Sequence, residues 1–206
     1  MIGLHSLLYD QPGLGLFVDN ENRTRTLDFM EHLSKLCRDL GGKTLIYGGG
    51  RKRGNLTLAE AFTEAEFFFQ DLLPRIDDHG TVFCFEPLGK KDTDFINSVY
   101  DSIRLVQSID HPSLKVQLDA KALFLNDELN LSVVQDASPY LVHVHANEPD
   151  LGILGTSGKH HHQFFGSVLH KINYQGFVSI EQKMVHKKDP IASLAKSVKI
   201  LTECYK

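Results

Sequence analysis

Short apolar segments alternate with amphipathic segments along the whole chain. Six of the apolar segments have the length and composition of β-strands, near residues 2–8, 43–48, 81–86, 114–119, 140–146 and 176–181. Between them, apolar residues recur every three or four positions, as in Leu27, Met30, Leu33 and Cys37, which is the period of a helix with one buried face. Uninterrupted strand–helix alternation predicts an α/β fold in which helices pack outside a parallel sheet.

Two of the helices carry recognisable start signals. Thr57, followed three residues later by Glu60, predicts a capping box. Asp189 and Pro190 predict the N-cap and the first turn of the last helix, whose apolar stripe comprises Ile191, Leu194, Val198 and Leu201.

Composition narrows the class of protein. The chain has 206 residues, of which 42% are hydrophobic and 23% charged, and it contains no linker-like segment, so a single domain over residues 1–206 is expected. Its net charge of −4 argues against a nucleic-acid partner, because such proteins usually carry a basic excess. No apolar run approaches the ~20 residues of a membrane span, and no signal-peptide pattern opens the chain. Three scattered cysteines indicate reduced thiols and a cytoplasmic location.

Four of the strand segments end on residues that commonly bind metals: Glu86, Asp119, His145 and Glu181. Parallel strands gather their C-terminal ends at one edge, so these side chains are expected to meet there. Each carboxylate alone could instead form an ion pair, but three facing one small volume would repel, and these strands offer no inward arginine. Carboxylates with one imidazole suit Mn²⁺, Mg²⁺ or Co²⁺, with Zn²⁺ as a further option.

Strand alternation supports this grouping. Successive side chains point to opposite faces of a strand, so the neighbours of each candidate ligand lie on the other face. Those neighbours are wholly apolar: Phe83, Phe85, Val116, Leu118, Val142, Val144, Val178 and Ile180. The apolar faces are typical of a sheet covered by helices.

Several motifs together resemble the xylose-isomerase-like TIM-barrel superfamily, in particular its sugar isomerase and epimerase group similar to D-tagatose 3-epimerase. They are YGGGRKRGN, FEPLG, LDAKA, VHVHANEP and NYQGFVSIE. The resemblance implies a TIM (β/α)8-type barrel with a divalent ion, often Mn²⁺, held by Glu86, Asp119, His145 and Glu181. It also implies that Glu86 and Glu181 are the catalytic residues that move the proton.

The implied reaction acts on a small sugar, a sugar phosphate or a polyol ketone. A metal polarises the carbonyl of a chelated hydroxyketone, and a carboxylate removes the adjacent proton to leave a metal-stabilised enediolate. Returning the proton gives an epimerase or an isomerase. Loss of a hydroxyl would give a dehydratase of the inosose or dehydroshikimate type, and a truncated remnant could bind metal without turnover.

Four further residues are predicted to contact the substrate: His5, Arg51, Arg53 and His162. The two arginines lie in a glycine-rich loop that could instead be a solvated turn, and His5 could equally be a core histidine. Many relatives have histidine where this chain has Ala122, and some have arginine where it has Leu151, so the resemblance does not carry the tagatose-type sugar specificity over directly.

The number of strands is lower than the family resemblance requires. Six strand–helix units are recognisable, whereas a barrel of this class has eight. We therefore expect a barrel truncated at its N-terminus to about six units. Open sheet edges favour association with further chains, so a homo-oligomer is expected.

Overall fold

The computed structural model describes residues 1–205, apart from the side chains of Lys159 and His160. The chain divides into two compact units, Met1–Val116 and Gln117–Lys206. Strand pairing is parallel in both units, and helices follow the strands, so the predicted α/β class is confirmed.

The first unit contains the strands and helices up to the start of the fourth strand. They are β1 (Gly3–Leu4), α1 (Asn20–Asp39), β2 (Thr44–Tyr47), α2 (Leu58–Leu72), a 3-10 turn (Leu73–Ile76), β3 (Val82–Phe85), α3 (Val99–Ile109) and β4 (Leu114–Asp119), which continues into the second unit. Strand β1 pairs with β2, β2 with β3 and β3 with β4. The predicted capping box at Thr57 and Glu60 is present at the start of α2.

Strand β1 is shorter than the predicted strand over residues 2–8. The backbone adopts the left-handed region at Ser6, where φ is 54°, and this conformation cannot continue a strand. Leu7 and Leu8 are nevertheless buried, so the apolar run reflects packing of a turn rather than an extended strand.

Aromatic rings form much of the core of the first unit. Tyr47, Phe69 and Phe85 are almost fully buried, and the rings of Phe69 and Phe85 meet edge to face with centroids 5.2 Å apart. Each buried ring contributes about 1.5–3 kcal/mol to folding. These contacts hold α2 against β2 and against the face of β3 that the sequence predicted to be apolar.

The second unit follows β4 with two short helices and two strand–helix pairs. Its elements are α4 (Ala120–Leu125), α5 (Leu131–Ala137), β5 (Leu141–Ala146), α6 (Lys159–Lys171), β6 (Phe177–Ile180) and α7 (Pro190–Cys204). In sheet order β5 lies between β4 and β6, and His145 of β5 is in register with Ser179 of β6. Asp189 caps α7 and Pro190 occupies its first turn, as predicted.

Helix α7 turns a different face to the unit from the one its apolar stripe indicates. An apolar stripe normally faces the core, yet Ile191 is 79% exposed, and Leu194 and Val198 are 49% and 46% exposed. The buried positions are Ser193, Ser197, Ile200 and Cys204. The two helices approach closely near the end of α7: a Cβ on Gly166 of α6 would lie 1.7 Å from the Cys204 carbonyl oxygen, so no side chain fits at position 166.

No helix among the described residues is long and apolar enough to span a bilayer.

Candidate metal centre

Three of the four predicted ligands lie together in the second unit. Asp119 ends β4, His145 lies in β5 and Glu181 directly follows β6. The imidazole Nδ1 of His145 is 3.6 Å from Asp119 Oδ2 and 3.9 Å from Glu181 Oε2. Ligand atoms of all three lie within 4.8 Å of one another. Adjacent parallel strands that end level with one another produce this grouping.

The two oxygens of Asp119 have separate roles. Asp119 is the N-cap of α4, and its Oδ1 accepts a hydrogen bond from the backbone N–H of Ala122 at 2.8 Å. Oδ2 is the oxygen near His145. An aspartate that directly precedes a helix is a favoured cap, so the local sequence fixes this carboxylate before any ligand binds.

Asn147 completes the second-unit cluster and was missed by the sequence analysis. Its Nδ2 donates to Asp119 Oδ2 and to Glu181 Oε2, at 2.6 Å in both cases. The signal was present, because Asn147 lies two residues after His145, and residues two apart share a strand face. It was overlooked because an amide is a weaker metal-ligand signal than a carboxylate.

Glu148, the next residue, has no exposed surface and accepts several hydrogen bonds. The donors are the backbone N–H groups of Gly155 and Ser157, the hydroxyl of Ser157, and His162 Nε2 at 2.9 Å. Burial alone would raise the pKa of Glu148, but the hydrogen bonds from Ser157 and His162 outweigh it and lower that pKa. Glu148 is therefore an ionised carboxylate, and its hydrogen bonds hold the loop between β5 and α6 in place.

His162, predicted to contact substrate, is buried and joins Glu148 to the C-terminus. Its Nδ1 lies 2.8 Å from the hydroxyl of Tyr205, and burial raises the pKa of that tyrosine. His162 also lines a small cavity together with Lys121 and Asn147. The neighbouring His160 falls outside the described side chains.

His143 lies one layer below His145 on the same face of β5. The two imidazole rings are nearly perpendicular, with centroids 5.3 Å apart, and His143 is buried. His143 therefore packs beneath His145.

In the first unit, Glu86 and His5 lie near each other. Glu86 follows β3 and is buried, and its Oε2 is 3.9 Å from His5 Nε2. Gly48 leaves the room for this carboxylate, because a Cβ at that position would lie 2.3 Å from Glu86 Oε2. The glycine after β2 is thus a steric requirement of the glutamate.

Arg51 is buried and donates its hydrogen bonds to the backbone. Nη1 donates to the Tyr47 carbonyl at 3.2 Å, and Nη2 donates to the Glu86 carbonyl at 2.5 Å. Burial lowers the pKa of Arg51 to about 10, while the Glu86 charge opposes the shift, so the guanidinium stays charged at neutral pH. The sequence analysis predicted that this arginine contacts substrate, with a solvated turn as the alternative, and missed its contact with the backbone of Glu86.

Arg53 also stabilises its own loop. Its backbone N–H donates to Asp94 Oδ1 at 2.8 Å, and its Nε donates to the Asp94 carbonyl at 3.2 Å. A further bond joins Nη1 to the Leu56 carbonyl.

The donor set in the second unit fits a divalent cation of hard or borderline character. Two carboxylates and one imidazole face one small volume, and such mixed oxygen and nitrogen donors suit Mn²⁺ or Co²⁺. The Glu181 side chain is 28% exposed, so it can also reach a small molecule. The arrangement can therefore hold an ion and supply a base next to it.

Comparison with proteins of known sequence identifies similar enzymes. A relative from Synechocystis sp., provisionally named a ketose 3-epimerase, is 26% identical over 181 residues, which cover 82% of this chain and 60% of the relative. D-psicose 3-epimerase of Ruminiclostridium cellulolyticum is 28% identical over 102 residues, which cover 50% of this chain and 34% of that enzyme. The chain thus covers less than two thirds of the length of these relatives.

Solved structures show the same fold. D-psicose 3-epimerase from Clostridium cellulolyticum, crystallised with D-tagatose, superimposes with a TM-score of 0.82 at 17% identity, covering 94% of this chain and 75% of that enzyme. The 3-keto-D-glucoside 4-epimerase of E. coli also gives 0.82, at 20% identity, covering 93% of this chain and 76% of that enzyme. The predicted TIM-barrel fold is confirmed, over about three quarters of each structure. A family model for the xylose isomerase-like TIM barrel matches residues 2–204, and the chain belongs to this family.

Proposed function

We propose that the protein binds one divalent cation through Asp119, His145 and Glu181, with Glu86 as a fourth ligand. The observation that carries this proposal is the cluster of three ligand atoms within 4.8 Å in the second unit. Glu86 enters through the family resemblance and through its place at the end of a strand. Mn²⁺ is the proposed ion, with Mg²⁺, Co²⁺ and Zn²⁺ as alternatives, because carboxylates dominate the donor set.

The proposed activity is isomerisation or epimerisation of a small sugar, a sugar phosphate or a polyol ketone. A bound divalent cation would polarise the carbonyl of the substrate and acidify the adjacent C–H. One carboxylate, Glu181 or Glu86, removes that proton, and the other returns it, which inverts the carbon when the two act from opposite faces. The names of the relatives, ketose and psicose 3-epimerases, support a ketose substrate.

Substrate contacts remain proposals. Among the predicted residues, His5 is the best supported, since its side chain is 36% exposed and lies beside Glu86. Arg51, Arg53 and His162 donate or accept hydrogen bonds within the protein, and their contact with substrate stays a prediction.

We also propose that the protein acts in the cytoplasm as a homo-oligomer and that residues 1–206 form one domain. Three buried cysteine thiols support a reducing compartment. Exposed Ile191 and Leu194 on α7 support association of copies. Sedimentation velocity measures the oligomeric state directly. A monomer at micromolar concentration would contradict the proposed homo-oligomer.

Elemental analysis of the purified protein tests the metal site. We expect close to one divalent ion per chain, and a melting temperature that rises with added Mn²⁺, because a ligand at 100 times its Kd stabilises the folded state by about 2.7 kcal/mol. Asp119→Ala should lose both effects. Metal-free protein with no Mn²⁺-dependent shift in melting temperature would contradict the proposal.

Proton exchange tests the chemistry separately. Incubating ketoses with the Mn²⁺-loaded protein in D₂O should place deuterium on the carbon next to the carbonyl, and the product should differ in mass from the substrate only by the exchanged deuterium. Glu181→Gln should abolish this exchange, because an amide is not a base. The same variant should lose less of its metal binding than of its exchange activity, since the amide oxygen still coordinates. A loss of water from the product would indicate a dehydratase instead.

A further inference from the structure

Asn147 connects two of the proposed ligands directly. Its side chain is 3% exposed, and its two N–H groups point to different carboxylates, Asp119 Oδ2 and Glu181 Oε2. Those carboxylates come from the ends of β4 and β6, on either side of β5. One amide therefore spans the cluster beside His145.

The orientation of the amide is fixed by a third contact. Asn147 Oδ1 accepts a hydrogen bond from the backbone N–H of Lys121 in α4 at 2.7 Å. A side-chain amide has one acceptor and two donor hydrogens, and all of them have partners here. A flipped amide would put its oxygen against both carboxylates and its nitrogen against an N–H group, so the network selects one orientation.

The contacted oxygens are the same two that face His145 Nδ1. A carboxylate oxygen has two lone pairs, so one can accept from Asn147 while the other stays directed at a cation. Two carboxylates held close together repel each other, and a neutral donor shared between them offsets that repulsion without occupying the imidazole side of the cluster.

The backbone of Asn147 is also held in place. The adjacent Glu148 is anchored by Ser157 and His162, and Lys121 holds the amide from the other side. Asn147 thus has little freedom to follow the carboxylates, and the carboxylates must conform to it.

From these contacts we propose that Asn147 is a positioning residue, which presets Asp119 and Glu181 for the cation before it binds. The inference rests on the proposed metal site. Neither the predicted ligand set nor the predicted substrate contacts include this residue. Its removal leaves every proposed ligand in the chain, and Asp119 keeps its N-cap bond, but Asp119 Oδ2 and Glu181 Oε2 lose the donor that they share.

Calorimetric titration with Mn²⁺ tests this role without any measurement of activity. Asn147→Ala should weaken Mn²⁺ binding about 10- to 100-fold, the usual effect of removing a hydrogen-bond partner of a metal ligand. Asn147→Ser keeps one donor, so its affinity for Mn²⁺ should fall less. It tests the same role if the alanine variant does not fold. Circular dichroism before each titration establishes that the variant is folded.

Asn130→Ala is the matched control. Asn130 caps α5 by accepting from the Val133 N–H at 3.0 Å, so the variant loses an asparagine side chain away from the cluster and should bind Mn²⁺ within twofold of the wild type. A folded Asn147 variant that binds as tightly as the wild type would overturn the positioning role. Wild-type protein that binds no Mn²⁺ would instead overturn the metal site itself.

Discussion

His162 and His145 both lie beside carboxylates of the second unit, but at different distances. His162 Nε2 is 2.9 Å from Glu148 Oε1, which is hydrogen-bonding distance. His145 Nδ1 is 3.6 Å and 3.9 Å from the nearest oxygens of Asp119 and Glu181, too far for a hydrogen bond. In a metal site each donor atom lies about 2.0–2.2 Å from the ion, so neighbouring donor atoms also stay farther apart than hydrogen-bonded atoms do.

The hydrogen bonds around each carboxylate differ as well. Glu148 accepts from two backbone N–H groups, one hydroxyl and one imidazole, which fills its capacity as an acceptor. Asp119 and Glu181 instead share one amide donor. The same residue types thus form a closed structural clamp at Glu148 and a more open cluster at His145. The distance between imidazole and carboxylate, rather than residue type, distinguishes the two groups.

The largest expected effect concerns Glu148. Replacing it with alanine leaves four donors without their acceptor, and the buried one, His162 Nε2, alone costs about 1–3 kcal/mol when it is left unpaired. Urea denaturation of the metal-free protein should show this loss of unfolding free energy.

Asp119→Asn is the counterpart in the open cluster. Asparagine caps helices as well as aspartate does, but it places an amide donor opposite Asn147, so we expect a loss of about 1–2 kcal/mol. Mn²⁺ affinity should nevertheless fall at least tenfold. Equal losses of stability in the two variants would show that the distinction between clamp and cluster is wrong.

A pH dependence follows from the clamp. Hydrogen bonds lower the pKa of Glu148 below its ordinary value of 4.5 in spite of burial. A carboxyl with a lowered folded-state pKa contributes stability that is present above its unfolded pKa and is lost as pH falls through the folded one. Metal-free protein should therefore lose stability on acidification below about pH 4.5.

Glu148→Gln isolates this contribution. Denaturation measured between neutral and acidic pH should show a shallower acid decline for the glutamine variant, since that side chain does not titrate. The same decline in both proteins would assign the acid sensitivity to other carboxylates.

The parts that the sequence predicted depend on local rules. Strand ends with ligand-type residues, the Thr57 capping box and the start of α7 each follow from neighbours a few residues apart. The close approach of Gly166 to Cys204 instead joins two helices far apart in the chain, which no local pattern records. Arg51 is similar, because its hydrogen-bond acceptors include carbonyls of residues 86 and 96, far along the chain.

The same distinction between local and long-range contacts applies to the residues of the site. Asp119, His145 and Glu181 were predicted because each ends a strand, and the parallel order of the strands brings such ends together. The bridging role of Asn147 requires the separation between two carboxylates on non-adjacent strands. That distance arises only from the folded sheet, so the sequence marks Asn147 as a neighbour of His145 and nothing more.

The smallest expected effect concerns Tyr205, at the outer end of the clamp. Its hydroxyl lies 2.8 Å from His162 Nδ1, and its ring packs edge to face on Phe165 with centroids 6.0 Å apart. Tyr205→Phe keeps the ring contact and removes one hydrogen bond, so the unfolding free energy should fall by about 0.5–1.5 kcal/mol. Mn²⁺ affinity should not change, because Glu148 keeps its remaining donors. A loss as large as that of Glu148→Ala would mean that the tyrosine orients the whole network, since His162 donates to Glu148 through Nε2 only when its other nitrogen is correctly held.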